Sequence, residues 1–223
     1  MSIDDWVIVG LFVSFAAVSI LFTSWKARRR ARALKSVAAC LKFEFHRDDR
    51  HGLKRSCSGF RLFQIGRGRT VRNVLSGRIA DLKAYLFDYE FDTGRGKSRR
   101  HRAQTVVALS SAHLAFPRFH LSRERWHHRI GEWFGLQDID LLDQESFSKR
   151  FRLVGDDEDR VRACFTSSAI GLLETREKTS VEANLHWIIF YAPDRFAQPD
   201  EIASGLEFAA SVTMALAMTP SAK

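Results

Sequence analysis

The first strong pattern in the chain is an uninterrupted run of uncharged, mostly apolar residues from Trp6 to Trp25. Eleven of these 20 positions are Val, Ile, Leu or Phe. Twenty helical residues extend about 30 Å, which is the thickness of the hydrocarbon core of a bilayer. A tryptophan at each end suits the two membrane interfaces. The pattern therefore predicts a membrane-spanning helix, and residues 1–25 form the predicted transmembrane segment.

Two other interpretations of this run are less favourable. A cleaved signal peptide would begin with a basic region and end at a small-residue cleavage site. This chain instead begins MSIDD, and the apolar run ends in WKARRR. A buried core helix is the second alternative, but 20 consecutive uncharged residues exceed the usual length of such a segment.

A cluster of cations follows the predicted span directly. Residues 26–40 are rich in helix-forming residues, so we expect the helix to continue as a basic juxtamembrane segment. The cations are Lys26, Arg28, Arg29, Arg30, Arg32 and Lys35. Positively charged flanks stay on the cytoplasmic side of a membrane. The span is therefore predicted to cross the bacterial inner membrane with the N-terminus outside and the rest of the chain in the cytoplasm. These cations also lie close enough to contact anionic lipid headgroups, an expected by-product of this topology.

After Cys40 the pattern changes to the period of two that is typical of β-strands. The predicted strands include Gly59–Gly66, Asn73–Ile79, Leu82–Phe91 and Ala103–Ser111, with a later hairpin over Ser180–Ala192 that turns near Ala183-Asn184. Both faces of the strand from Leu82 to Phe91 are largely apolar in its first part, with Asp88 and Glu90 near its end, which indicates a central position in the sheet.

Helical patterns lie between and after these strands. An amphipathic helix is predicted around Trp126–Phe134, a helix with acidic residues in its first turn over Asp156–Phe165, and a last helix over Asp200–Met218. Residues 41–223 are therefore predicted to form one cytoplasmic α+β domain, with a mainly antiparallel sheet packed against amphipathic helices.

The sequence GRGKS in the segment between Leu82–Phe91 and Ala103–Ser111 resembles the end of a phosphate-binding loop. That motif needs a glycine five positions before Gly96, where Phe91 stands, and a following helix. A hairpin with Gly94 and Gly96 at its tip is the better prediction. Its tip carries five cations, namely Arg95, Lys97, Arg99, Arg100 and Arg102. These cations favour either solubility and edge protection or an anionic partner such as lipid, RNA or an acidic protein.

Candidate catalytic and metal-binding patterns are weak. The three cysteines, Cys40, Cys57 and Cys164, form no C-x-x-C pair, and the adjacent His127 and His128 lack the spacing of a zinc pair. We therefore assign no catalytic, cofactor-binding or metal residue. An enzyme would have to use Asp88 or Glu90 with His120, His127 or His128 as the base, and no spacing pairs them. Gly10, Ser14 and Ala17 share one helical face that would allow a homodimer.

Several fragments resemble a bacterial family of single-pass membrane proteins to which no activity is assigned. They are FDYEF with TGRGK, then TVV, FPRF, FGLQDID and FSKRFRLVGDDEDRVRACF, and they cover roughly residues 73–165. This chain has AFPRF where the family pattern has a leucine before the proline. The resemblance implies one N-terminal span and a cytoplasmic domain, and it implies no chemistry.

The sequence thus favours a membrane-tethered binding or scaffold module with an unidentified protein partner. An enzyme acting on a membrane-associated substrate is one alternative. Binding of RNA or another anionic ligand through the basic hairpin is the other, and it is the weaker one because no RNA-reading aromatic motif surrounds the tip.

Overall fold

The computed structural model describes residues 3–123, 137–141, 145–176 and 178–217. Within the first helix, the side chains of residues 3–13, 16 and 20 lie outside this description. The predicted helix around Trp126–Phe134, with His127 and His128, also lies outside the described residues.

A single long helix, α1 (Ile3–Cys40), opens the chain. Ala31, Leu34 and Ala38 follow one another at helical spacings of three and four and are buried against the domain. Of the helices in the described part of the chain, none is both long enough and apolar enough to cross a membrane. Many side chains of the predicted span, Trp6–Trp25, lie outside the described part of the chain.

The domain is α+β and is built on a large antiparallel sheet, in agreement with the predicted fold class. Within the described residues the sheet has nine strands in the order β1-β2-β3-β4-β9-β8-β5-β7-β6. The strands are β1 (Glu44–Asp48), β2 (Arg67–Ile79), β3 (Leu82–Thr93), β4 (Arg100–Ser110), β5 (Phe116–Arg123), β6 (Gln137–Asp138), β7 (Phe151–Gly155), β8 (Ser180–Leu185) and β9 (Trp187–Tyr191). Every recorded strand pair is antiparallel.

Helices cover both faces of the sheet. Two short helices, α2 (Leu53–Ser56) and α3 (Arg61–Gln64), contribute to one hydrophobic core. The opposite face packs against α1 and four further helices in a second core. Those helices are α4 (Glu145–Ser148), α5 (Glu158–Cys164), α6 (Ser167–Glu174) and α7 (Ile202–Ala217).

The alternation along β3 confirms its predicted central position. Leu82, Ala84 and Leu86 belong to the core that contains α1 and α7, whereas Phe87 and Tyr89 belong to the core of α2 and α3. The strand pairs with β2 on one side and β4 on the other. Because successive side chains point to opposite faces, Asp88 points to the same face as Leu86, the face covered by α1.

The predicted strand over Gly59–Gly66 is wrong, because these residues contain α3. A carboxylate from distant β8, that of Glu182, accepts hydrogen bonds from the backbone N–H groups of Arg61 (2.5 Å) and Leu62 (3.1 Å). It satisfies two donors at the start of a helix that has no local side-chain cap. The apolar residues that suggested a strand, Phe60, Leu62 and Phe63, are buried at the start of α3 and on it.

The β8–β9 hairpin is confirmed, but its turn lies two residues later than predicted. Asn184 pairs with Trp187 in the ladder, and the chain reverses at Leu185, whose φ is 52°. The last helix is also shorter than predicted. A 3₁₀ turn over Pro199–Glu201 precedes α7, which begins at Ile202.

Candidate functional site

A buried ion pair fixes α1 to the middle of the sheet. The guanidinium of Arg30 donates to Asp88 through Nε to Oδ2 and through Nη2 to Oδ1, each at 2.7 Å. The two side chains are 17% and 2% exposed. This forked geometry matches the planar guanidinium to both carboxylate oxygens, which is the strongest arrangement for such a pair.

Neighbouring groups complete the hydrogen bonding of this pair. Asn73 on β2 donates its side-chain N–H to Asp88 Oδ2 at 2.9 Å, and the Thr105 hydroxyl on β4 lies 3.2 Å from Oδ1. Arg30 also donates to the Ala197 carbonyl at 3.0 Å and stacks over the Phe196 ring at 4.3 Å. A buried charge is tolerated only with such pairing, so the network joins three strands to α1 and to the segment before α7.

The predicted juxtamembrane cations divide into two kinds. Arg30 is committed to the domain through Asp88. The other five are exposed on α1, and Arg29 lies over the Trp25 ring at 5.5 Å. These five are Lys26, Arg28, Arg29, Arg32 and Lys35. Their role at a membrane surface stays a prediction.

Neither of the carboxylates considered for catalysis, Asp88 and Glu90, is placed beside a candidate histidine base in the described part of the chain. Both oxygens of Asp88 are occupied by Arg30, Asn73 and Thr105. Glu90 lies 3.7 Å from His101, beyond hydrogen-bond distance. His120 is buried on β5, where it stands opposite Glu182 on β8. The described residues therefore bring neither Asp88 nor Glu90 into hydrogen-bond reach of His120.

A cavity of about 550 Å³ lies between the sheet and α7, next to the residues that hydrogen-bond to Arg30. Thr105 and Ala197, both partners of Arg30, line one part of it. Its apolar lining comes from Leu86, Val107, Phe190, Ile202 and Phe208, and its charged lining comes from Arg176, Lys178, Arg195 and Glu201. We call this cavity the α7 groove. An apolar floor with more cations than acids suits a molecule that has both an apolar chain and an anionic head.

The charges of the α7 groove are only partly neutralised from within. Arg195 pairs with Glu201, and Arg176 donates to the Ser204 carbonyl at 3.0 Å while lying over the Phe208 ring at 4.8 Å. Lys178 is exposed and has no ion pair with any described residue. The groove therefore keeps net positive charge.

The basic hairpin has the predicted form. Gly94 and Gly96 have φ values of 72° and 53° in the connection between β3 and β4. Two of its cations are paired: Arg99 donates to Asp92 at 2.6 Å, and Arg102 pairs with Asp194. Hydrogen bonds from Arg99 and then His101 lower the pKa of Asp92. Arg95, Lys97 and Arg100 are exposed, and the described residues give them no ion pair.

A buried polar cluster behind α3 was missed by sequence reasoning. Burial raises the pKa of Glu182 from 4.5 to about 7, although Tyr191 donates to its carboxylate at 2.8 Å. Burial, followed by the charges of Asp49 and Glu182, raises the pKa of the Cys57 thiol to about 12, which makes this cysteine a poor nucleophile. The available signal was a lone carboxylate between the apolar Val181 and Ala183 on β8.

Residues that offer metal ligands lie elsewhere, at the edge of the sheet. Glu44, His46 and His51 bring one ligand atom each into a common region.

The fold is similar to a solved structure, the crystal structure of the mycobacterial trehalose monomycolate transport factor A, TtfA. The TM-score is 0.63 at 14% sequence identity, and the similarity covers 86% of this chain and 97% of the other. Identity at this level shows a shared fold alone. No protein-family model matches the chain, and no curated protein matches it. The motif resemblance of residues 73–165 therefore stays a prediction.

We predict that removing one partner of the Arg30–Asp88 pair is costly. Asp88→Ala leaves a largely buried guanidinium without its carboxylate and should lower the free energy of unfolding by about 3–5 kcal/mol. Adding Arg30→Met to this variant should recover much of the loss, because no unpaired charge remains. Urea unfolding of the full-length chain in mild detergent, followed by tryptophan fluorescence, measures both changes.

The matched control is the half-exposed pair of Arg162 with Glu158, whose atoms approach to 2.6 Å at i,i+4 spacing within α5. Glu158→Gln should change stability by only about 0.3–0.5 kcal/mol. Equal losses in Asp88→Ala and Glu158→Gln would contradict the anchoring role of Asp88.

We also predict a pH dependence from Glu182. Its pKa is about 7 in the folded protein and near 4.5 when exposed, so the unfolded chain releases this proton first as the pH rises. The stabilisation from protonated Glu182 is therefore complete below pH 4.5, falls between about pH 4.5 and 7, and is lost above pH 7. The melting temperature of the unsubstituted protein minus that of Glu182→Gln should fall over this window. His120, with its pKa lowered to about 3 by burial, acts in the opposite direction in both proteins. A constant difference would contradict the raised pKa.

Proposed function

We propose that this protein is a membrane-tethered module whose cytoplasmic domain binds a ligand in the α7 groove. The observation that carries the tether is the exposure of large apolar side chains on α1. Five of the seven exposed large apolar residues in the described part of the chain lie on this helix, at Phe15, Val18, Leu21, Phe22 and Trp25, and they are 50–75% exposed. Contact with lipid would remove this area from water.

The proposed arrangement follows the order of residues along α1. Trp6–Trp25 crosses the bilayer of the bacterial inner membrane, with the N-terminus outside. The five exposed cations then lie at the cytoplasmic surface, where each contributes about 1 kcal/mol with anionic lipid. Arg30 and the buried face of Ala31, Leu34 and Ala38 lead into the domain. Residues 41–223 are the cytoplasmic binding domain.

The proposed ligand class is an anionic amphiphile. The apolar floor of the α7 groove would hold an acyl chain, and Lys178 with the neighbouring arginines would meet the anionic head. The structural neighbour is named as a trehalose monomycolate transport factor. At 14% identity its name supports no particular ligand here, so the proposal rests on the lining of the groove.

The basic hairpin supports a second, weaker candidate function. Arg95, Lys97 and Arg100 could contact an anionic partner, such as lipid headgroups or an acidic protein, without breaking an ion pair within the described residues. The enzymatic alternative has less support, since its best carboxylate, Asp88, is held by Arg30.

Membrane attachment is tested by extraction with alkaline carbonate. The full-length protein should remain with the membrane fraction. Phe15→Arg with Val18→Arg should release it, because each arginine near the middle of a span costs about 2.5–3.5 kcal/mol of insertion free energy.

The matched control places the same charges on exposed apolar residues outside α1. Leu185 and Met214 are 62% and 52% exposed, so Leu185→Arg with Met214→Arg should stay with the membrane. Release of the unsubstituted protein, or equal release of both variants, would refute the tether.

Ligand binding in the α7 groove is tested by photo-crosslinking in nanodiscs with a diazirine-bearing fatty acid. Gly205 lines the groove on α7, and Gly205→Leu should fill it and reduce the adduct yield by at least about tenfold, which corresponds to about 1.4 kcal/mol. Ala203→Leu adds a similar side chain at an exposed position of the same helix and should leave the yield unchanged.

The same experiment with a neutral diazirine-bearing monoacylglycerol should give a lower yield, because that probe lacks the anionic head. Equal yields for Gly205→Leu and Ala203→Leu would show that the probe does not occupy the groove.

A further inference from the structure

Three potential metal ligands meet at the free edge of the sheet. β1 is the first strand in the sheet order. Glu44 and His46 are two residues apart on it, so their side chains point to the same face of the sheet. His51 comes from the turn that follows the strand. One ligand atom from each of these three residues lies within 4.8 Å of the other two.

Two of the three ligands already have a spacing suitable for zinc. His46 Nε2 and Glu44 Oε2 are 3.3 Å apart. Zinc binds imidazole nitrogen at about 2.0–2.1 Å and carboxylate oxygen at about 2.0–2.2 Å, so two such ligands of a tetrahedral ion are separated by about 3.4 Å. The ligand atom of His51 lies within 4.8 Å of both, so only a small movement of its side chain is needed to complete the set.

Local contacts restrict the position of His51. The carboxylate of Asp49 accepts hydrogen bonds from the backbone N–H groups of Leu53 (2.7 Å) and Lys54 (2.9 Å), which fixes the turn between β1 and α2. The His51 ring packs against the Tyr85 ring at 5.4 Å and against the His46 ring at 5.5 Å. Preorganised ligands lose less conformational freedom when they bind a metal ion.

We propose that Glu44, His46 and His51 bind a divalent transition-metal ion of the zinc class. Two imidazoles and one carboxylate suit zinc better than magnesium or calcium, which prefer oxygen ligands alone. Three protein ligands leave the fourth position of a tetrahedral ion open.

The surroundings indicate what the open position would accept. Glu44 and His51 line a cavity of about 630 Å³ together with Lys42, Arg78 and Tyr85. The two cations favour an anionic fourth ligand, such as a carboxylate or a phosphate group, over a second metal ion. This inference does not depend on the proposed tether or on the α7 groove.

Zinc titration of the full-length protein in detergent, followed by isothermal calorimetry, tests the site. The unsubstituted protein should bind one zinc ion per chain. His46→Ala and His51→Ala should each weaken binding by at least about tenfold, because each removes one of only three protein ligands. Far-ultraviolet circular dichroism checks that the variants stay folded.

Two matched controls identify the ligands. His113 is an exposed histidine elsewhere on the surface, and His113→Ala should bind zinc like the unsubstituted protein. Cys40 is an exposed thiol at the end of α1, and Cys40→Ser should also leave binding unchanged.

Cobalt substitution supplies a spectroscopic readout. Co²⁺ in the site should give visible absorption of a tetrahedral ion, and Glu44→Gln should shift or abolish it. The proposal is overturned if the unsubstituted protein binds no zinc, if His46→Ala and His51→Ala bind as tightly as His113→Ala, or if Cys40→Ser abolishes binding.

Discussion

The ion pair between Arg30 and Asp88 is the interaction on which the arrangement of this protein depends. Asp88 lies on β3, which is hydrogen-bonded to the neighbouring strands β2 and β4. Its carboxylate is almost completely removed from water. An isolated buried carboxylate would be strongly unfavourable, so a cation must reach it. That cation comes from α1, and the requirement holds the helix across the face of the sheet.

This constraint links the helix to the α7 groove. Thr105 and Ala197 bond to Arg30 and also line the groove, so one set of residues borders both features. The apolar face formed by Leu34 and Ala38 adds contact area to the same joint. Because α1 runs without a break from Ile3 to Cys40, the described helix offers no linker between the proposed membrane segment and the domain. The orientation of the groove relative to α1 is therefore set by packing and hydrogen bonds.

The local parts of the fold were predictable from the sequence. Apolar residues on both faces of the strand identified β3 as central. Gly94 and Gly96 identified the hairpin between β3 and β4. Acidic residues next to Asp157 identified the start of α5. Each of these signals depends on neighbouring residues. Backbone propensity and side-chain period were enough to recognise them.

The parts that were missed depend on residues distant in sequence. α3 is capped by Glu182, which lies about 120 residues away, and a period of two in the local pattern gave no sign of it. In the sequence, nothing distinguishes Arg30 from the other five cations of its cluster. Its partner, Asp88, lies 58 residues away in the chain. The cluster of Glu44, His46 and His51 is an exception, because its residues are close in sequence. It was missed because their approach depends on the turn that follows β1.

The most direct test of the central role of the ion pair is a distance measurement by pulsed electron paramagnetic resonance. Spin labels at Arg28→Cys on α1 and Lys83→Cys on β3 would be introduced into a Cys40→Ser background, in which the remaining cysteines are buried. A helix held by Arg30 and Asp88 predicts one narrow distance distribution that broadens when Asp88→Ala is added. A broad distribution in the protein with Asp88 intact would contradict the account.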